Sequence, residues 1–160
     1  SEQNSDDYSG IAEVVIEVLD QYEQIGKKFE YFCCLLPTAP FVTSERLIEA
    51  KELLLASGAD TVVPVTRFSY PIQRAMKKGD DGTLKMFWPE NYDKRSQDLE
   101  PAFHDVGQFY WGRCDALRES LRMFTEKTMP LIIPEMEVQD IDSEEDWKMA
   151  EFKYQMYFQS

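Results

Sequence analysis

Histidine occurs once in this chain of 160 residues, and cysteine three times with no Cys-x-x-Cys spacing. A zinc centre built from those ligands therefore has no support. The cysteines are odd in number, and Cys33 and Cys34 are neighbours in an apolar run. Neighbours in a strand point to opposite faces, so a disulfide framework is not expected and the thiols read as buried in a reducing compartment. No apolar run approaches the length needed to cross a bilayer. The start, Ser1 to Tyr8, is acidic and polar rather than basic and then apolar, so a signal peptide is not expected and a cytoplasmic location is. Internal repeats and low-complexity tracts are also missing.

Basic residues are scarce as well: 17 Lys and Arg stand against 30 Asp and Glu, a formal net charge of −13. Such a surface repels nucleic-acid backbones, which are gripped by clustered Lys and Arg. The adjacent basic pairs, Lys77-Lys78 and Lys94-Arg95, have acidic residues close by. Neither nucleic acid nor membrane is expected as a partner. An anionic small substrate would need a metal ion or locally gathered basic residues.

What is present is enough apolar sequence, 43%, for one domain and too little for two. Ile11, Val14, Val15, Val18 and Leu19 fall at helical spacing and predict an amphipathic helix over 10–22. Phe29 to Leu36 is a continuous apolar run ended by Pro37, the pattern of a buried strand of the parallel kind. Ser44 is placed to cap a helix to about Ala56, with Leu47, Leu53 and Leu54 inward and Gly58 as its stop. Thr61 to Thr66 is the next strand, and this strand–helix–strand order predicts a right-handed crossover in an α/β sheet.

From Arg67 to Pro101 the rhythm breaks. Pro71–Met76 and Leu84–Trp88 read as two short strands joined by a turn at Gly79-Asp80-Asp81-Gly82. Such a hairpin either reaches onto a second subunit as an arm or folds over its own core. Val106–Gly112 predicts another buried strand, and Asp115–Ser120 a short helix. Leu131–Ile133 and Met136–Ile141 predict two extended stretches. Ser143-Glu144-Glu145-Asp146 opens a last helix with a capping-box pattern. The ending Tyr157-Phe158-Gln159-Ser160 resembles a protease-tag remnant, leaving 1–156 as the domain.

Two constellations could carry chemistry. In an extended segment Asp140 and Asp142 project to one face, so both carboxylates could meet one Mg²⁺, an ion that takes one or two carboxylates and fills its octahedron with water and phosphate oxygens. Taken alone, the pair reads first as a solvated acidic cap for the following helix. In the second constellation, Arg95 could hold a carboxylate bidentately, and Gln97 and Gln108 could read hydroxyl or acetamido groups. Gly107 would let a ligand approach the backbone. An ordinary polar surface loop is the competing reading. His104 beside Asp105 lacks a visible nucleophile and earns no general-base role.

The blocks PTAPF (Pro37–Phe41), SYPIQRA (Ser69–Ala75), MFWPE (Met86–Glu90), RSQDL (Arg95–Leu99), HDVGQFYWG (His104–Gly112) and VQDIDSEEDW (Val138–Trp147) together resemble the pseudaminic acid cytidylyltransferases of the CMP-sialate synthetase superfamily. The resemblance runs from about Ser5 to Tyr154. It implies a Rossmann-like α/β nucleotidyltransferase three-layer sandwich with a protruding β-hairpin arm (about 67–101), working as a homodimer. It implies transfer of CMP from CTP to a nonulosonic acid, with release of pyrophosphate and with Mg²⁺ as cofactor. The metal aspartates would be Asp140 and Asp142. Substrate contacts would come from Pro37, Thr38, Arg74, Arg95 and Gln97, and from the Gly107-Gln108-Phe109 strand; no catalytic base is assigned. Leu36 before Pro37, where sialate enzymes usually have Gln, tips the acid toward pseudaminic acid over sialate or legionaminate. The family's opening strand and its Gly-, Ser-, Lys- and Arg-rich triphosphate loop have no counterpart here. The chain alone is therefore expected to be N-terminally truncated and neither to bind CTP well nor to turn over. A non-catalytic dimerisation module is the rival from another class.

Overall fold

The computed structural model describes residues 10–157; the acidic start and Phe158–Ser160 of the expected tag remnant lie outside the described residues. The element order is α1 (Ile11–Gln24), β1 (Tyr31–Leu35), α2 (Ser44–Ser57), β2 (Thr61–Arg67), β3 (Met76–Lys78), β4 (Leu84–Met86), β5 (Phe103–Asp105), β6 (Phe109–Arg113), α3 (Cys114–Ser120), β7 (Thr128–Ile132) and α4 (Glu144–Tyr157).

Strand β2 is the spine. On one edge β7 pairs with it in parallel over Thr61–Val65. On the other, β6 pairs antiparallel at Thr61–Val62 and β5 antiparallel at Val65–Arg67. Between those two pairings the register slips, and the surplus is taken up by a bend at 106–108, where Gly107 has φ +62. The strand expected over Val106–Gly112 begins only at Phe109 and runs to Arg113; its first three residues form the bend between β5 and β6. The bend is possible because glycine enters the left-handed region without a Cβ penalty.

Side chains alternate across the sheet as the period of two demands. Phe32, Val63, Val65 and Tyr110 join Ala12 and Leu19 of α1 and Cys114 and Leu117 of α3 in one core. Val62, Phe109, Leu131 and Ile133 join Ala50 and Leu54 of α2 in the other. Helices therefore cover both faces, a three-layer α/β/α sandwich. Cys33 and Cys34 pack against opposite cores, and all three cysteines are free.

Several local expectations are corrected. Strand β1 pairs antiparallel with β6 rather than with a parallel neighbour, because β6 is interposed between β1 and β2. In α1 the inward residues are Ile11, Ala12, Val15, Ile16 and Leu19, while Val14 and Val18 face outward. Thr43, not Ser44, caps α2 by accepting the Arg46 N–H at 3.3 Å. Gly58, in the left-handed conformation, closes that helix as expected. The hairpin strands shrink to β3 and β4, since Ile72–Arg74 forms a 3₁₀ turn. Glu135–Glu137 is likewise a 3₁₀ turn, and no strand spans Met136–Ile141.

Candidate active site

Strands β1, β2 and β7 run in the same direction, so the loops following them leave one edge of the sheet. There the backbone stitches neighbouring loops together: Leu36 N–H donates to the Gln108 carbonyl at 2.9 Å, Phe68 N–H to Ala102 at 3.0 Å, and Ile133 N–H to Val65 at 2.9 Å. Open α/β sheets bind ligands at this carboxyl edge.

The segment after β7 is irregular because side chains, not a neighbouring strand, satisfy its carbonyls. Gln108 Nε2 donates to the Glu137 carbonyl at 2.6 Å, and Lys153 Nζ of α4 to the Val138 carbonyl at 2.6 Å and the Glu135 carbonyl at 3.4 Å. Burial lowers the Lys153 pKa, with Glu135 pulling the other way. Arg46 of α2 grips the Glu137 carboxylate with two bonds, Nε at 2.9 Å and Nη2 at 3.0 Å, and reaches Glu49 at 2.8 Å. Those bonds push the Arg46 pKa further up, Glu137 contributing most.

This scaffold delivers Asp140 against the bend. A Cβ built on Gly107 would stand 3.1 Å from Asp140 Oδ2 and 3.4 Å from its Oδ1. Asp140 Oδ1 also accepts the Ile141 N–H at 3.1 Å. The helix cap that follows is made by Ser143 and Asp146: Asp146 Oδ2 accepts the N–H groups of Asp142 and Ser143 at 3.2 and 2.9 Å, and Ser143 Oγ accepts the Asp146 N–H at 3.3 Å. Asp142 enters the cap through its backbone N–H. Asp142, like Asp140, is exposed.

On the other side of the bend, Asp105 Oδ1 accepts the Gly107 N–H at 3.0 Å and Oδ2 accepts the Tyr110 hydroxyl. Burial above all, then Asp105, and more weakly the charge of Asp140, push the Tyr110 phenol up. The His104 ring lies on Phe68 with centroids 4.7 Å apart, and its Nδ1 is 2.8 Å from the Asp105 carbonyl oxygen.

Beside this cluster an open cleft of about 760 Å³ runs between the end of β2, the Phe68–Pro71 and Ser96–Ala102 segments, and Ile132–Glu135. Gln97 lines it, with Ser69 donating to Glu135 at 3.2 Å. Arg95 is exposed and bidentate to Asp98 at 2.8 and 3.1 Å. Arg74 Nη1 reaches Ser96 Oγ at 3.5 Å. Pro37 and Thr38 are exposed in the turn after β1. Two residues expected to touch substrate sit elsewhere. Phe109 is wholly buried in the α2-side core, and Gln108, 2% exposed, has its amide donor committed to Glu137. Only their backbone could meet a ligand at this edge.

Among the described residues no group of three or more His, Cys, Asp or Glu side chains converges on a metal-sized site. Two exposed carboxylates, Asp140 and Asp142, are still the donor type that Mg²⁺ takes, its remaining positions being normally filled by water and phosphate oxygens. Sequence reasoning did not find the Asp105–Tyr110 bond or the Arg46–Glu137 pair. The first has a readable trace in the Asp-x-Gly turn; the second joins residues 91 apart with nothing local to signal it.

The fold is a nucleotidyltransferase fold. A solved structure of CMP:2-keto-3-deoxy-manno-octonic acid synthetase complexed with CTP superposes with a TM-score of 0.55 at 10% identity, over 96% of this chain and 70% of that one. No family model matches. A pseudaminic acid cytidylyltransferase of Campylobacter jejuni subsp. jejuni serotype O:2 is 35% identical over 159 residues, 98% of this chain and 67% of the relative. CMP-N,N'-diacetyllegionaminic acid synthase of Legionella pneumophila is 28% identical over 158 residues, 94% of this chain and 65% of the relative. The chain belongs to the pseudaminic acid cytidylyltransferase family.

Proposed function

We propose that this chain supplies the metal-side and acceptor-side walls of an enzyme that transfers CMP from CTP to a nonulosonic acid, pseudaminic acid, with release of pyrophosphate. The anomeric hydroxyl gives up its proton and forms a bond to the α-phosphorus, while the bond from that phosphorus to the oxygen it shares with the β-phosphorus breaks and pyrophosphate leaves. The observation that carries the reading is the Asp140 carboxylate seated on the Gly107 bend at the carboxyl edge of the sheet. Asp140 and Asp142 would hold Mg²⁺. When bound, the ion would neutralise phosphate charge, which matters on a chain of net charge −13.

The adjoining cleft offers hydroxyl and amide groups from Ser69, Ser96 and Gln97 over an apolar floor of Leu99, Ile132 and Ile133, suited to a polyhydroxylated acid. Arg95 and Arg74 flank it as candidate carboxylate partners, Arg95 by exchanging Asp98 for the substrate. The β3–β4 hairpin leaves Met76, Leu84, Phe87 and Trp88 exposed, which supports an arm that packs on a second copy. Among the described residues no helix is long and apolar enough to cross a membrane.

The test is pyrophosphate release by the protein that carries this chain, given CTP, Mg²⁺ and each of pseudaminic, legionaminic and sialic acids. Pseudaminic acid is expected to be turned over fastest. A faster reaction with either other acid reassigns the acceptor. No release with any acid, from a protein that still dimerises, leaves an assembly module.

A further inference from the structure

We propose that Asp105 is a positioning residue for the metal-side carboxylate: clamped to Tyr110, it fixes the Val106–Gln108 bend that forms the wall behind Asp140. The inference rests on the reading that Asp140 is a metal ligand, and extends it to residues outside the Asp140–Asp142 pair.

The bend is where the chain leaves the ladder. Strands β5 and β6 both pair with β2, but in different registers, so Val106, Gly107 and Gln108 have no ladder partner on β2. Val106 and Gln108 are anchored by burial at 2% exposure each. Gly107, between them, is the free point, at φ +62 and half-buried. Its N–H is an obligatory donor, and it goes to Asp105 Oδ1 at 3.0 Å. The other oxygen of that carboxylate takes the hydroxyl of Tyr110. The Tyr110 ring is buried in the core shared with α1 and α3 and meets Phe124 edge-on at 6.3 Å, so its hydroxyl is a fixed point.

A chain of contacts therefore runs from the core through Tyr110, Asp105 and the Gly107 backbone to the Asp140 carboxylate, which lies within 3.4 Å of a Cβ position on Gly107. Asp140 is held besides by its own turn, Oδ1 accepting the Ile141 N–H at 3.1 Å. Partners that orient a ligating carboxylate in this way alter metal affinity without touching the metal.

The chemistry separates a clamp from a ligand. In Asp105→Asn the amide oxygen still accepts the Gly107 N–H, and the amide nitrogen donates to the Tyr110 oxygen, so the clamp persists without the charge. Asp105→Ala loses both bonds, and Tyr110→Phe loses one while keeping the ring in the core. The experiment measures Mn²⁺ affinity of the chain by electron paramagnetic resonance, with amide hydrogen exchange at Gly107 followed in parallel. Affinity is expected to fall about 10-fold in Asp105→Ala and several-fold in Tyr110→Phe, and to stay within about 3-fold in Asp105→Asn. Exchange at Gly107 should quicken in the first two and not in the third.

Equal losses in Asp105→Asn and Asp105→Ala would overturn the clamp and make Asp105 a charge or ligand instead. Unchanged affinity in Tyr110→Phe, with Asp140→Asn losing the ion, would overturn the clamp while leaving the metal reading intact. Wild-type affinity in Asp140→Asn, or no Mn²⁺ bound by the unaltered chain, would remove the metal reading, and the clamp with it.

Discussion

Replacing Gly107 by alanine separates what the bend does for stability from what it does for the site. An L-residue in the left-handed region costs about 1–2 kcal/mol. For a chain of this size that is a fall of roughly 2–8 °C in melting temperature. The added methyl would also stand 3.1 Å from Asp140 Oδ2 and 3.3 Å from its Cγ, so the carboxylate has to yield by a few tenths of an ångström. Gly58, the C-cap of α2, is the matched control. Its φ of +65 nearly equals the +62 of Gly107, and nothing lies within 4 Å of a Cβ built there. Both substitutions are expected to lose about 1–2 kcal/mol in equilibrium urea denaturation. Only Gly107→Ala should raise the Mg²⁺ concentration needed for half-maximal CMP transfer, by about 10-fold. Equal metal dependence in the two variants would refute the argument that Asp140 is set by contact with the bend.

Three further outcomes follow from the same contacts. Arg46→Met leaves the Glu137 carboxylate, 13% exposed, without its bidentate partner; a loss of about 2 kcal/mol by urea denaturation is expected, and a loss under about 0.5 kcal/mol would class the pair as an ordinary surface bridge. The hydrogen bond from Ser143, with the N–H groups of Asp142 and Ser143, holds the Asp146 pKa below its ordinary 3.8. A depressed carboxylate stabilises above its unfolded pKa and ceases to as pH falls through the folded one. Protection of the first-turn amides of α4, corrected for their intrinsic exchange rates, should therefore fall as the pH is lowered through the range below about 4, and in Asp146→Asn it should be low at every pH. Burial first, and Cys34 second, push the Cys33 thiol up to about 11, and burial raises Cys34 and Cys114 too. Alkylation by iodoacetamide near neutral pH should be slow at all three and speed up as pH rises toward 11; rapid labelling of Cys33 at pH 7 would contradict that burial.

Elements whose signal is local were legible in the sequence. The α1 and α2 helices, the Gly58 stop, the Thr61–Thr66 strand and the Ser143–Asp146 cap all follow from spacing and capping chemistry within a few residues. Pairing partners were not, because pairing is decided by residues far along the chain. The apolar run at 29–36 was legible as a strand, but the parallel neighbour its pattern predicts is overturned by β6 arriving between β1 and β2. The extended reading of Met136–Ile141 failed for a related reason: side chains of Gln108 and Lys153 take the Glu135, Glu137 and Val138 carbonyls that a neighbouring strand would have paired. At the site, Asp140, Asp142, Gly107 and Gln97 were singled out by residue type; the structure puts Asp140 beside Gly107 and Gln97 in the cleft. Gln108 and Phe109 sit in a motif whose apolar and polar letters do not tell which side chains turn inward; the alternation of β6 sends Phe109 to the core. The geometry adds the network that holds Asp140 in place.

The most direct test is CMP transfer from radiolabelled CTP to pseudaminic acid by the protein carrying this chain, with Asp140 and Asp142 replaced by alanine singly and together. The account predicts that each single variant loses at least about 100-fold in kcat/KM, more than about 2.7 kcal/mol of transition-state stabilisation. It also predicts that the double variant loses little beyond the worse single one, because the two carboxylates serve one ion. Transfer at the wild-type rate in the double variant would contradict it.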